Sequence, residues 1–545
     1  MKTTEKRLYA TYRALRRRIN IMAKTNSSGK QMSINIIASL LSFAVTMGIN
    51  FYLTPILVDS LGTEAYGFIG LSHNFVAYAT IVTSALNSMS GRFISIAYHR
   101  GDKEKASRYF SSVLVADLII AGVMLVITSL ITIYLDKILD IPPNLVTDVK
   151  ITFAITFLTF VISVITAIFT TATYVKNRMD INSIRDIASN LIKISGVIGL
   201  FAFLPSELYF LALATLASGI FLMLTNITVK KKILPDVEIS FKKFELGLVK
   251  ILISAGVWMS LSQLSTVLLS GLDLLICNLT IGSLLMGILS IAKTVPNSFA
   301  TLIATLSSIF TPHYTILYAK NDIKGLVKEV QFTSKLMSLI LNVPIAGFIV
   351  FGLSFYTLWQ PSKTPQEVLM IQILSVLTCM QFLFSAQTQC IAALNSVCNK
   401  MRLPVLVALG LGLLSTLIVV ILLTVFNLGD YAVYVIAGVS SVLMSLRAMI
   451  FVPLYSAHML KQKKRVFYTS ILRGLLSFAV VSLLFFIVNS LVSINSWPTL
   501  IMVCGIAGVL GYALCIPLLF NKSELQVLKR KILKKSRAST RNSCR

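Results

Sequence analysis

Acidic residues are scarce in this chain of 545 residues, which has 21 aspartates and glutamates against 49 lysines and arginines. Charged residues of both signs make up only 13% of the sequence, whereas apolar residues make up 56%. A soluble domain of this size needs far more polar residues to cover its surface. The composition therefore excludes a large soluble protein and predicts a membrane protein.

Residues that commonly build metal and redox sites are also few. The four histidines are scattered and the seven cysteines include no CxxC pair, so no metal-ligand spacing occurs. No GxxxxGK(S/T) loop is present, which argues against an internal ATPase motor. The sequence predicts neither a cofactor nor a metal site.

The excess of basic residues, a formal net charge of +28, is spread over many short segments. That distribution argues against nucleic acid as a partner, because a nucleic-acid site concentrates its cations on one face. It favours attraction to anionic lipid at the inner leaflet.

About 14 apolar stretches lie between residues 33 and 520, and most exceed the ~20 residues needed to cross a bilayer. Most basic residues fall in the two tails and in alternate gaps, and only Lys137, Lys150 and Lys363 fall in the other gaps. Basic loops stay in the cytoplasm during insertion. We therefore expect an all-α, multi-pass protein of the cell inner (plasma) membrane with both termini cytoplasmic.

Apolar residues recur at helical spacing in the basic N-terminal segment, at positions 8, 12, 15, 19 and 22. The pattern predicts an amphipathic helix on the inner leaflet, and the alternative is a disordered basic arm. The last 25 residues, with Glu524 as their one acid, have the same basic character.

Two halves of the chain are similar at a fixed offset, and six spans separate corresponding points. The matches at an offset of 220 or 222 are Gly62 and Gly282, Gly67 and Gly287, Tyr98 and Tyr318, Asp102 and Asp322, and 175–179 and 397–401. Six is an even number, so both halves insert with the same orientation, and substrate in such proteins usually binds between the halves.

The repeat divides the chain into six predicted parts. They are a basic N-terminal segment (1–32), an N-lobe of six helices (33–229), a cytoplasmic linker (230–246), a C-lobe of six helices (247–457), two further helices (458–520) and a basic tail (521–545). The two further helices either extend one lobe or form a dimer contact.

Short motifs in both halves resemble those of a transporter family. They are 61–67, Arg92-Phe93 and 100–106 in the first half, and 262–264, 271–273 and 281–282 in the second. Together with the order of spans, they resemble the polysaccharide-transporter branch of the multidrug/oligosaccharidyl-lipid/polysaccharide exporter superfamily, the Wzx-type lipid-linked oligosaccharide flippases.

The resemblance implies alternating-access flipping of an undecaprenyl-pyrophosphate-linked oligosaccharide, a repeat unit of O-antigen, capsule or exopolysaccharide, from the inner to the outer leaflet. The implied partners are that lipid-linked oligosaccharide, membrane lipids and other membrane proteins of polysaccharide assembly. A glycan polymerase or ligase usually needs a sizeable outer loop with catalytic groups, and the outer gaps are short. We therefore expect a transporter and not an enzyme.

Buried cations are the candidate substrate-binding residues, because a charge at mid-bilayer costs about 2.5–3.5 kcal/mol and needs a partner or a function. They are Lys293, Lys193, Arg447 and His73, which is the 220-offset counterpart of Lys293. Lys293 is the strongest candidate because Pro296, three residues later, loosens the helix beside it. We expect these cations to hold the pyrophosphate.

Three of these positions, those other than Lys293, also have an alternative structural interpretation. Lys193 pairs with Asp117 or Asp186, Arg447 anchors the cytoplasmic end of its span, and His73 is a neutral core residue. Arg92 is a candidate for the cytoplasmic gate or, alternatively, an ordinary lipid-facing anchor.

Asp117 and Asp273 are the candidate coupling acids, at the inner end of the third span and the outer end of the seventh. No carboxylate falls clearly at mid-membrane, which disfavours a multidrug/cation antiporter because such a protein needs buried acids that exchange protons. A lipid II flippase is a closer alternative, but that branch carries charges in its first span, and residues 33–57 contain none.

Overall fold

The computed structural model describes Gln31, residues 34–35, residues 37–521 and Glu524. The predicted N-terminal amphipathic helix and almost all of the basic tail lie outside the described residues.

Among the described residues, fourteen long helices account for the apolar stretches, which confirms the predicted all-α membrane fold. They are α1 (Ile37–Leu61), α2 (Thr63–His99), α3 (Lys103–Ile133), α4 (Val146–Val175), α5 (Met179–Phe203), α6 (Tyr209–Ile233), α7 (Leu246–Gly271), α8 (Ser283–Ala319), α9 (Ile323–Trp359), α10 (Pro365–Val397), α11 (Arg402–Val425), α12 (Gly429–Met459), α13 (Tyr468–Leu491) and α14 (Trp497–Leu519). In the part of the chain that the structure describes, 13 of them are long and apolar enough to cross a membrane. The exception, α8, is 37 residues long but mixes apolar residues with Lys293, Thr294 and Asn297.

The internal repeat is visible in the backbone. Asp102 and Asp322 both cap the following helix, each accepting a hydrogen bond from the backbone N–H three residues later, with nearly the same backbone angles. Gly62 and Gly282 both have positive φ, at 88° and 122°. Asn177 and Asn399 share a φ of 53° and 54°. Residues at the two predicted offsets therefore adopt equivalent local structures.

The chain forms two compact units, whose limits cut across α1, α2 and α7. The first comprises the described residues of 1–56 together with 75–260, and the second comprises 57–74 and the described residues of 261–545. In the second unit the start of α2 packs closely on α8. A Cβ placed on Gly67 would lie 2.8 Å from Cα of its repeat counterpart Gly287, and one on Gly287 would lie 2.2 Å from the carbonyl oxygen of Thr63. Two helices approach this closely only where neither has a side chain.

Each unit has its own apolar clusters. One cluster of the first unit joins α2, α3 and α7 through Leu86, Phe110, Val113 and Leu252. In the second unit, α13 and α14 pack on α9, where Phe351, Phe485 and Ala507 are buried together. The last two helices therefore belong to the second unit, and a dimer contact through them stays a prediction.

Candidate functional site

The buried lysine that the sequence singles out, Lys293, is paired with an acid. Its Nζ on α8 lies 2.7 Å from Oδ2 of Asp273, and only 10% and 11% of the two side chains are exposed. Lys293 also donates a hydrogen bond to the carbonyl of Ser270 at 2.8 Å. Opposite unit charges at this distance largely cancel in the field felt by a third group. While the pair is intact, Lys293 is therefore not the uncompensated cation that the sequence led us to expect.

A π-helical turn at the end of α7, Val267–Gly271, supplies the carbonyls beside this pair. Ser270 accepts from Lys293, and Gly271 accepts from the side-chain amide of Asn74 on α2 at 3.0 Å. Such turns free backbone carbonyls inside a helix and are frequent at functional sites. Asp273 begins the short helix that follows.

His73, the residue before Asn74, lies on an exposed part of α2. An imidazole N–H at Nδ1 donates to the carbonyl of Ile69, one turn earlier, at 2.8 Å. A role for His73 in binding the same ligand as Lys293 stays a prediction.

Lys193 lies in the middle of α5 in the first unit, where the described residues provide no carboxylate within ion-pair distance. The expected pair with Asp117 or Asp186 is not formed. Asn190, one turn before Lys193, donates to Oγ1 of Thr46 on α1 at 3.0 Å. Residues three apart share a helix face, so Lys193 is on the polar face of α5 that meets α1. Residues 37–56 of α1 carry no charge that could neutralise it.

Arg447 begins a second π-helical turn, Arg447–Phe451, within α12 of the second unit. Its Nε is buried and has no hydrogen-bond partner among the described residues. No described carboxylate forms an ion pair with its guanidinium. Like Lys193, Arg447 is a cation within a membrane-spanning helix that no described acid compensates.

Asp117 lies near the middle of α3, rather than at the inner end as its place in the apolar run suggested, because the helix begins six residues before that run, at Lys103. The side chain is fully buried. Oδ1 of Asp117 accepts a hydrogen bond from Nδ2 of Asn87 on α2 at 3.1 Å. Buried carboxylates are therefore present in both units, Asp117 in the first and Asp273 in the second. Their presence weakens the argument from the sequence that a multidrug/cation antiporter is disfavoured because buried acids are lacking.

Arg92 is exposed on α2 and makes no ion pair with the residues that the structure describes. Its role as a gate stays a prediction. Sequence reasoning missed Asn87, Ser270 and Asn74. For Asn87 and Asn74 the signal was a carboxamide within an apolar run, but the carbonyl of Ser270 is freed by a backbone turn that leaves no such signal.

The fold is that of a class of multi-pass membrane transporters. An inward-facing multidrug resistance transporter of the MATE family, in the MOP superfamily, matches 79% of this chain and 99% of its own, with a TM-score of 0.64 and 13% identity. The lipid II flippase MurJ, in an inward closed conformation, matches 91% of this chain and 99% of its own, with a TM-score of 0.61 and 14% identity.

The polysaccharide biosynthesis protein family matches residues 33–312. The uncharacterized membrane protein EpsK of Bacillus subtilis (strain 168) is 31% identical over 509 residues, which are 92% of this chain and 98% of EpsK. The chain therefore belongs to the polysaccharide biosynthesis protein family, and it is a multi-pass membrane protein. The resemblance inferred from its short motifs is confirmed.

Proposed function

We propose that this protein flips a lipid-linked oligosaccharide, carried on undecaprenyl pyrophosphate, from the inner to the outer leaflet of the plasma membrane by alternating access. Both termini are then cytoplasmic, as the alternation of basic loops requires. The proposal is supported by membership of a family named for polysaccharide biosynthesis, and the fold is shared with a protein described as a lipid II flippase.

The observation that carries the proposal is the pair of uncompensated cations, Lys193 in the first unit and Arg447 in the second. Each lies in a membrane-spanning helix, where an unpaired charge costs about 2.5–3.5 kcal/mol even on insertion scales. A pyrophosphate offers several anionic oxygens, and Arg and Lys bind such oxygens through charge-assisted hydrogen bonds. An anionic headgroup that reaches either residue would therefore relieve a cost already present in the protein.

Lys293 has a different role in this proposal. Asp273 occupies its ammonium group in the conformation described, so a phosphate can bind Lys293 only by displacing that carboxylate. We assign headgroup binding first to Lys193 and Arg447, with Lys293 and His73 available after Asp273 is displaced.

The test replaces these cations in the protein's own host, after deletion of the chromosomal gene, and measures surface polysaccharide and the lipid-linked intermediate in the membrane. Lys193→Ala and Arg447→Ala should each lower export about tenfold or more and cause the intermediate to accumulate, since a charged hydrogen bond is worth about 1.5–3 kcal/mol. Lys193→Arg keeps the charge and should retain most activity. Lys137→Ala removes an exposed lysine outside the spans and should have no effect.

Antibody detection of each variant in the membrane fraction separates loss of transport from loss of protein. Normal polysaccharide from both Lys193→Ala and Arg447→Ala would reject the proposed headgroup site. If deletion of the gene itself left polysaccharide export unchanged, the flippase proposal would fail altogether.

A cation antiporter is the second candidate, because the buried Asp117 is the type of acid that such a protein exchanges with protons. Accumulation of cationic dyes in the same deletion strain tests it. Dye extrusion that depends on Asp117, together with unchanged polysaccharide, would favour the antiporter.

A further inference from the structure

Asp117 and Asn87 form a polar pair that is incomplete. The hydrogen bond from Nδ2 of Asn87 to Oδ1 of Asp117 uses one oxygen of the carboxylate. The remaining oxygens, Oδ2 of Asp117 and Oδ1 of Asn87, are both buried and have no hydrogen-bond donor among the described residues. Two buried acceptor oxygens therefore lack a donor, and one more hydrogen is needed to form a hydrogen bond with them.

Among the described residues, no cation forms an ion pair with Asp117. The nearest charged or titratable residues along α2 are Tyr78 and His73 on one side of Asn87 and Arg92 on the other. Along α3 they are Tyr109 and Arg108, and α3 has no charged residue after Asp117. The other helices that contribute to this region are α4, α6 and α7. No charged residue lies between Lys150 and Lys176 or between Lys250 and Asp273. On α6, the buried Lys230 lies 5.2 Å from the ring of Phe110, two turns before Asp117, and donates a hydrogen bond to the carbonyl of Val237. Leu86, Val113 and Leu114, close to the pair in sequence, are buried in an apolar cluster. An ionised Asp117 would thus be a buried charge without a counter-ion, which costs several kcal/mol.

One proton satisfies both orphan oxygens. A carboxylic acid and a carboxamide can form a cyclic pair, in which the amide N–H donates to one carboxyl oxygen and the carboxyl O–H donates to the amide oxygen. The first of these bonds is present, and the second would join the two oxygens that lack a donor. Protonation also removes the charge from the apolar surroundings.

We propose that Asp117 and Asn87 are a proton-binding site, occupied in the conformation described and emptied when the contact between α2 and α3 opens to water. The step is a simple dissociation, in which the O–H bond of the Asp117 carboxyl group breaks, its electron pair stays on the carboxylate and the proton passes to water. Linking this exchange to the transport cycle rests on the proposed function, whereas the presence of the proton does not.

Infrared difference spectroscopy of the full-length protein in liposomes tests the site directly, because a protonated carboxyl group has a C=O stretching band that a carboxylate lacks. At neutral pH the wild type should show such a band and Asp117→Asn should lack it. Asn87→Leu should keep the band but shift it to higher frequency, since the carbonyl loses its hydrogen-bond donor. Asp430→Asn, which replaces an exposed aspartate in the first turn of α12, should match the wild type.

The absence of an Asp117-dependent band from the wild type at neutral pH would overturn the proposal. Loss of the band when sodium chloride replaces potassium chloride at constant pH would also overturn it, in favour of a cation site. If Asp117→Asn does not fold, the shift in Asn87→Leu still decides the assignment. Because no transported molecule is added, the spectrum can contradict the proton site while polysaccharide export supports the flippase, and the reverse outcome is equally distinguishable.

Discussion

Nζ of Lys293 and Oδ2 of Asp273 lie 2.7 Å apart within the second unit, in a pair that is almost fully buried. The lysine that would attract a phosphate is already held by a carboxylate and by the carbonyl of Ser270. Removing either charge leaves the other buried without its partner, which is more costly than removing both.

The single substitutions Lys293→Met and Asp273→Asn should each destabilise the protein by about 3–5 kcal/mol, whereas the double variant should recover much of that loss. Thermal unfolding of the purified protein in detergent measures the three changes in one double-mutant cycle. Additive effects, with the double variant as unstable as the sum of the single ones, would mean that the two charges do not act as a pair.

The close approach of α2 and α8 gives a second prediction. Gly67→Ala and Gly287→Ala each place a methyl group against backbone atoms, at 2.8 Å from Cα of Gly287 and 2.2 Å from the carbonyl oxygen of Thr63. The helices must separate, and overpacking of this kind costs about 1–3 kcal/mol. Unfolding temperatures of the two variants should fall, with Gly287→Ala the more affected because its contact is shorter.

Gly122→Ala is the matched control, since a Cβ at this position in α3 meets no atom within 4 Å. Alanine is a better helix former than glycine by about 1 kcal/mol, so this variant should be neutral or slightly more stable. If all three substitutions behaved alike, the closeness of α2 and α8 would have no energetic consequence.

The periodic features of the fold were predictable because they rest on apolar length and on loop charge. The fourteen helices follow from the fourteen apolar stretches, and the equivalence of Asp102 with Asp322 follows from the 220-residue offset. The boundary between the compact units was not predictable in this way, because it falls inside α1, α2 and α7, where nothing in the composition changes. It depends on which helix each half of α2 packs against.

The residue types of the candidate site were predictable from the sequence, but the contacts between those residues were not. The sequence marks Lys193, Lys293 and Arg447 as charges in apolar surroundings. It does not show that a π-helical turn presents the carbonyl of Ser270 to Lys293, or that Asp273 lies beside the same lysine rather than leaving it uncompensated. Such contacts depend on helix rotation and on local changes of hydrogen bonding, to which hydropathy is insensitive.

The linker between α6 and α7 is attached to α3 by two sets of contacts. The backbone N–H groups of Glu238, Ser240 and Glu245 donate to the hydroxyl oxygens of three serines of α3, namely Ser107, Ser111 and Ser112. Exposed ion pairs lie beside them, including one between Lys103 and Asp236 at 3.1 Å. The protection of these three amides against hydrogen exchange therefore reports whether the linker is attached to α3.

The hydrogen bond from Lys103, and then its charge, hold the pKa of Asp236 below the ordinary value, and Lys243 acts in the same way on the pKa of Glu238. An acid with a lowered pKa in the folded state stabilises that state above its unfolded pKa, about 4, and the stabilisation is lost as the pH falls through the folded value. The attachment of the linker should therefore be stronger at neutral pH and weaken as the pH falls. Hydrogen–deuterium exchange of the amides of residues 238, 240 and 245, corrected for the intrinsic rate at each pH, measures this change.

Asp236→Asn should speed exchange of these amides at neutral pH by a few-fold at most, since the pair is exposed and salt weakens it. Its acid dependence should be reduced but not abolished, because Glu238 contributes with the same sign. Asp430→Asn, in the first turn of α12, serves as the control and should leave exchange of the linker unchanged. Protection that rises on acidification would contradict the assignment, because it would require the carboxyl groups to favour attachment in their neutral form.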